Sequence, residues 1–253
     1  MENRNFLSPS KIKAAMVYVL LLLIVSPVIG GLIGMIAASN RGIDGGLVFA
    51  SFFQTSTDKD VLLCHTIGLG YAHFICNLLC LLGVGFYLRN YLIEDVNKIK
   101  SRKKFYLILI PTLALAFTGI SYLIDLLFTN LAGSSNNQNT IVEIMGTSAR
   151  IPMIISTVLL APVIEELIFR KAIFEALRKY SIVPCYVASI LCFALPHMLS
   201  GSVSFGVWML QLMPYVILGG MLCFVYHVTN HNVYASICAH MLNNLLAVIM
   251  VFI

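Results

Sequence analysis

Charge is scarce in this chain. Asp, Glu, Lys and Arg make up 11% of its 253 residues, against roughly 25% in an ordinary soluble domain. That shortage excludes a soluble globular protein. The mean hydropathy of +0.91 and the 59% hydrophobic content indicate a membrane protein instead. The sequence also has no HExxH zinc motif, no GxSxG nucleophile elbow and no P-loop, which leaves zincin, serine-hydrolase and nucleotide-driven chemistry without their usual carriers. No CxxC occurs, and the seven cysteines are odd in number and sit in apolar runs. They read as small hydrophobes, not as a redox or metal device. The net charge of +5 does not point to nucleic acid, because the basic residues gather in the segments between apolar runs.

Those runs are the dominant feature. A helix needs about 20 apolar residues to span a bilayer, and seven stretches qualify, near 14–38, 62–88, 105–129, 151–173, 182–199, 206–227 and 233–253. The first is longer than a signal-peptide core and follows Lys11 and Lys13, so it reads as a retained span. The short apolar stretch 46–53 suggests an interfacial or re-entrant piece. The expected fold is an all-α polytopic bundle. Residues 1–150 would supply three N-terminal spans, and residues 151–253 a four-helix core. Basic residues crowd the N-terminal tail (Arg4, Lys11, Lys13), the segment after the second span (Arg89, Lys98, Lys100, Arg102, Lys103, Lys104) and the segment after the fourth (Lys171, Arg178, Lys179). The other side carries Arg41, Lys59 and Arg150. The positive-inside rule then puts the N-terminus in the cytoplasm. Ser134 to Asn139 reads as a polar external loop.

Against this background a few polar residues stand out, because an ionisable group at membrane depth persists only if paired, hydrated or used. Glu165 and Glu166 are adjacent in an apolar run that ends with Arg170. Glu166 and Arg170, four apart, share a helix face and can pair. Glu165 lies about 100° around the helix and can face other groups, as a general base would. Pro162 removes a helix hydrogen bond just before the pair. His197 follows Phe193 by four residues, near the outer end of its span unless the helix breaks near Pro196. His240 and Asn244, also four apart, offer two donors on one face. They suit either an oxyanion hole or hydrogen bonding between helices. Glu165, His197 and His240 also make a ligand set known for zinc. His65, His73, His227 and His231 show no spacing with partners, and Asp125 reads as a hydrated helix end.

The ordered motifs EExxxR, FxxxH and HxxxN, here Glu165, Glu166 and Arg170, then Phe193 and His197, then His240 and Asn244, resemble the CPBP family. That family comprises the type II CAAX prenyl proteases and the bacteriocin-processing and immunity proteins. The resemblance covers roughly 150–250. It implies an intramembrane endopeptidase in which Glu165 with His197 activates water and His240 with Asn244 stabilises the oxyanion. Glu166, Arg170 and Phe193 would be supporting, and members have been called metalloproteases. The substrate would be a peptide or lipidated peptide, cleaved in a cavity open to the cytoplasm. The short chain is similar to bacterial members, which places it in a bacterial cell membrane among lipids. Two other readings stay open: a non-catalytic scaffold or immunity protein of the same fold, and a proton-coupled transporter.

Overall fold

The computed structural model describes residues 8–178, 180–199 and 201–253. Arg4 and Lys179 lie outside them. With no water at bilayer depth, backbone N–H and C=O groups must be satisfied within each segment, so apolar runs become helices. Among the described residues the regular structure is helical, without a strand. Among the described residues six helices are long and apolar enough to cross a membrane: α1 (Pro9–Ser39), α3 (Lys59–Ser101), α4 (Lys103–Ala132), α6 (Arg150–Leu177), α8 (Phe205–Val228) and α9 (Val233–Val251). The chain is an integral membrane protein.

Three shorter helices complete it. α2 (Gly45–Ala50) occupies the apolar stretch 46–53. α5 (Asn136–Met145) begins inside the expected external loop. Ser135 caps its N-terminus by accepting from the Gln138 N–H at 3.2 Å, so polar side chains that suggested a loop form a first helical turn instead. α7 (Ile182–Ala194) replaces the fifth expected span with a helix of 13 residues, followed by a tighter turn over Leu195–Met198.

The segment after the second span is not a loop either. Asp58 caps α3 by accepting from the N–H groups of Asp60 and Val61, and the helix then runs for 43 residues. At about 1.5 Å per residue that is roughly twice the ~30 Å hydrocarbon core. Its basic end then passes through Arg102 into α4, which starts at Lys103. α1 crosses α3 at glycines: a Cβ on Gly68 would strike the Gly30 carbonyl and sit 2.9 Å from the Gly34 nitrogen. Such small residues let helix backbones approach where no hydrophobic effect drives association.

At the basic end a buried ionic cluster ties four helices together. The Asp95 carboxylate is fully buried. It meets Lys171 Nζ at 2.6 Å and Lys98 Nζ at 2.8 Å, and accepts from the Val233 N–H at 2.8 Å. Lys171 was expected in a loop; it is 3% exposed and also donates to the His231 carbonyl. Beside it Glu175 lies 2.8 Å from His231 Nδ1 and accepts from the Tyr226 hydroxyl. The α8–α9 turn makes this possible. Asn230 and His231 adopt left-handed φ of 58° and 56°, a conformation asparagine tolerates better than most residues, and Asn232 caps α9 while donating to the Asp95 carbonyl.

Candidate active site

α6 is not a uniform helix. Pro162 has no N–H, so the carbonyl four residues earlier cannot be bonded by it. The chain widens into π-type turns over Ser156–Leu160 and again over Leu167–Phe174, leaving Ala161–Glu166 as a short α-helical segment between them. Widened turns of this kind mark functional positions in many helices. Both glutamates sit on the intervening segment.

They separate as their helical angle requires. Glu166 is fully buried, and its Oε1 lies 3.1 Å from Arg170 Nη1, an ion pair whose angle falls outside hydrogen bonding. Arg170, also fully buried, donates from Nη2 to the Gly219 carbonyl and stacks its guanidinium 5.0 Å over the Phe193 ring. Glu165 instead lines a cavity of about 420 Å³ together with His197, His240 and Asn244.

His240 stands between the two carboxylates. Its Nδ1 is 3.1 Å from Glu166 Oε1, and its Nε2 is 3.8 Å from Glu165 Oε2. The second distance is too long for a direct hydrogen bond. With Nδ1 donating to a carboxylate, a neutral ring leaves Nε2 as an acceptor, and the ring donates from both nitrogens only as imidazolium. Its partner across the helices is thus Glu166, a contact that helical spacing within α9 could not show.

His197 reaches the same cavity because α7 stops at Ala194. Its Nδ1 meets the Phe193 carbonyl at 2.8 Å; a carbonyl only accepts, so Nδ1 carries the proton and Nε2 is left free. The break near Pro196 removes the depth mismatch expected for a continuous span. Phe193 is the hub of the site. Its ring packs edge-on against His240 and Phe169 and tilts against His197, so one side chain fixes both imidazoles.

Asn244 is more constrained than the paired-donor reading assumed. Its Nδ2 donates to the Thr157 carbonyl at 2.9 Å, and its Oδ1 accepts from Asn243. One amide hydrogen remains for other use. Glu165, His197 and His240 lie around one cavity, yet among the described residues no group of three His, Cys, Asp or Glu is placed to hold a metal ion.

Tyr215 was missed in the sequence. It stacks on His197 with ring centroids 4.6 Å apart, and its hydroxyl meets Ser135 Oγ at 2.7 Å. A polar aromatic directly after a mid-helix proline, Pro214, was the available signal. His73 and Asp125 also line the cavity, whereas His65 is engaged elsewhere, with Ser51 and Phe52. His227 and His231 belong to the basic end.

The cavity is long. Its lining runs from Glu165 and His240 to Thr129, Ser134, Asn137 and Val251, all at the end opposite the basic one. Toward the basic end lie the buried Glu166–Arg170 pair and the Asp95–Lys171 cluster.

Residues 147–246 match the family model described as Type II CAAX prenyl endopeptidase Rce1-like. The interval is less than half of the chain and contains all seven motif residues. No curated protein and no solved structure matches the chain. The family read from the three motifs and the family of this match are the same, and the match supports a CAAX-type intramembrane protease in general.

Proposed function

We propose that the chain is an intramembrane endopeptidase whose reacting groups are Glu165, His197, His240 and Asn244. The observation that carries this reading is the opposite fate of two adjacent carboxylates. Glu166 is locked to Arg170 and His240, while Glu165, 15% exposed, lines a cavity that His197 and His240 also line.

The chemistry follows from what each group has free. Glu165 takes a proton from a water in the cavity, and the water oxygen bonds to the carbonyl carbon of the substrate. His197, with its proton held on Nδ1, accepts from that water through Nε2 and orients it. His240, in its imidazolium form, donates Nδ1–H to Glu166 and Nε2–H to the developing oxyanion. The remaining amide hydrogen of Asn244 donates to the same oxygen. The flanking carboxylates give the buried imidazolium the counter-charge it needs. Collapse of the intermediate breaks the C–N bond, and protonated Glu165 delivers its proton to the departing amine. A correctly placed base of this kind contributes about 10²–10⁴ in rate.

A second reading has one observation in its favour. Asn244 spends a donor on Thr157 and its acceptor on Asn243, as a purely structural residue would, and that suits a non-catalytic scaffold of the same fold. Purified protein in liposomes, supplied with peptide and prenylated-peptide substrates, separates the two. Cleavage by the wild type that is lost in Glu165→Ala and His240→Ala supports the peptidase. Equal cleavage by all three removes it.

A further inference from the structure

Asn244 is held at both ends of its carboxamide, and one of the two holds begins at a proline. In the widened turn Ser156–Leu160 the helix hydrogen bonds reach across five residues: the Ala161 N–H donates to the Ser156 carbonyl. The next bond in that register would run from residue 162 to the Thr157 carbonyl. Residue 162 is proline and has no N–H to give. The tighter alternative, the Ala161 N–H, is already spent on Ser156. The Thr157 carbonyl therefore lacks its helix donor, and at membrane depth such a group must find one elsewhere. Asn244 Nδ2 supplies it at 2.9 Å. The turn itself is pinned from α3, where the buried Asn77 donates to Ser156 Oγ at 2.7 Å.

A carboxamide has two ends of nearly the same shape and opposite hydrogen-bonding sense. Against the Thr157 carbonyl only the amino end is favourable. Asn243 enforces the same choice from the other side, donating to Asn244 Oδ1 at 3.2 Å. Reversing the Asn244 amide would break both bonds and set one carbonyl oxygen against another. It would also turn an acceptor toward the oxyanion that the remaining amide hydrogen serves. We propose that Pro162 and Asn243 are positioning residues for Asn244. Pro162 acts by withholding a hydrogen bond inside α6, and Asn243 by occupying the amide oxygen. The inference rests on the peptidase reading, and it gives an orienting purpose to the two contacts that otherwise suit a scaffold.

Pro162→Ala restores the missing N–H, so the Thr157 carbonyl can close within α6 and release Asn244. Asn243→Leu removes the other contact at nearly the same side-chain volume. Both are compared with wild type, with Asn244→Ala, and with each change combined with Asn244→Ala. The proteins are reconstituted in liposomes and supplied with an internally quenched prenylated peptide. Asn244→Ala should lower kcat by about 10²–10³, the loss of one oxyanion donor. Pro162→Ala and Asn243→Leu should each lower kcat about tenfold, within what a misplacement of about 1 Å costs, and change KM less than about twofold. Pro162→Ala should also melt no lower than wild type, because its helix gains a hydrogen bond. In the Asn244→Ala background neither change should lower kcat further by more than about twofold, since the group they orient is gone. Should Pro162→Ala fail to fold, Asn243→Leu carries the same expectation. Wild-type kcat in either folded single variant, or an equal loss with and without Asn244, overturns the proposal and leaves the peptidase reading standing. A wild type that hydrolyses no peptide, or wild-type kcat in Asn244→Ala, defeats the peptidase reading at this residue and the proposal with it.

Discussion

Breaking the Glu166–Arg170 pair should cost most of the stability that a membrane domain can spare, and rejoining the site by removing both charges should recover part of it. Both side chains are fully buried and 3.1 Å apart. Removing one member of a buried ion pair costs about 3–5 kcal/mol, because the other charge stays behind without its counter-ion. In Glu166→Gln the amide oxygen still accepts from His240 Nδ1, so the loss falls on Arg170. That guanidinium keeps the Gly219 carbonyl and the Phe193 ring. A desolvated cation–π contact is worth about 2 kcal/mol, but the wild type has it too and nothing new is gained. Glu166→Gln should therefore lose about 3 kcal/mol or more. Arg170→Met should lose a similar amount by stranding Glu166, whose Oε2 already lacks a hydrogen-bond partner among the described residues. The double variant buries no unpaired charge. It should be more stable than the sum of the single losses predicts by about 1–3 kcal/mol, the usual coupling of contacting residues. Equilibrium unfolding in mixed detergent micelles, followed by circular dichroism, reads all four proteins. A Glu166→Gln protein within about 0.5 kcal/mol of wild type, the range of an ordinary surface change, or an additive double variant, would refute the assignment of this pair to structure.

Further outcomes follow from the same contacts. Asp95→Ala strands Lys171 in a buried site and unpins the first turn of α9. It should lower unfolding stability by about 3–5 kcal/mol, measured in the same micelles, without altering the identity of any cleavage product. Tyr215→Phe keeps the stack on His197 and should retain most peptidase activity, whereas Tyr215→Ala frees the ring and should lower kcat more than it raises KM in a steady-state peptide assay. Gly68→Val places side-chain atoms on the Gly30 carbonyl, so the yield of folded, monodisperse protein in size-exclusion chromatography should collapse while Gly85→Val, which meets open space, leaves it unchanged.

Much of this architecture is legible in sequence because the bilayer leaves few choices. A long apolar run must close its own hydrogen bonds, so α1, α4, α6, α8 and α9 fall close to the stretches that hydropathy marks. The Glu166–Arg170 pair was readable for the same reason: four residues on one helix meet wherever that helix lies. Contacts that depend on how helices pack were not. His240 and Glu166 are 74 residues apart, and no periodicity within α9 says which carboxylate its histidine will face. Lys171 looked like a loop cation because the span seemed to end there, but Asp95, far back on α3, draws it inward. The position of His197 depended on where α7 breaks, and a proline shows that a helix is disturbed there without saying in which direction the chain continues.

The most direct test of the central claim is the single-turnover hydrolysis of a peptide in ¹⁸O-labelled water by wild type and Glu165→Gln at matched folded concentration. The wild type should place one labelled oxygen in the new carboxyl group, and the variant should be slower by about 10²–10⁴, the contribution of a positioned base. A variant that cleaves at the wild-type rate would show that the carboxylate of Glu165 does not activate the water.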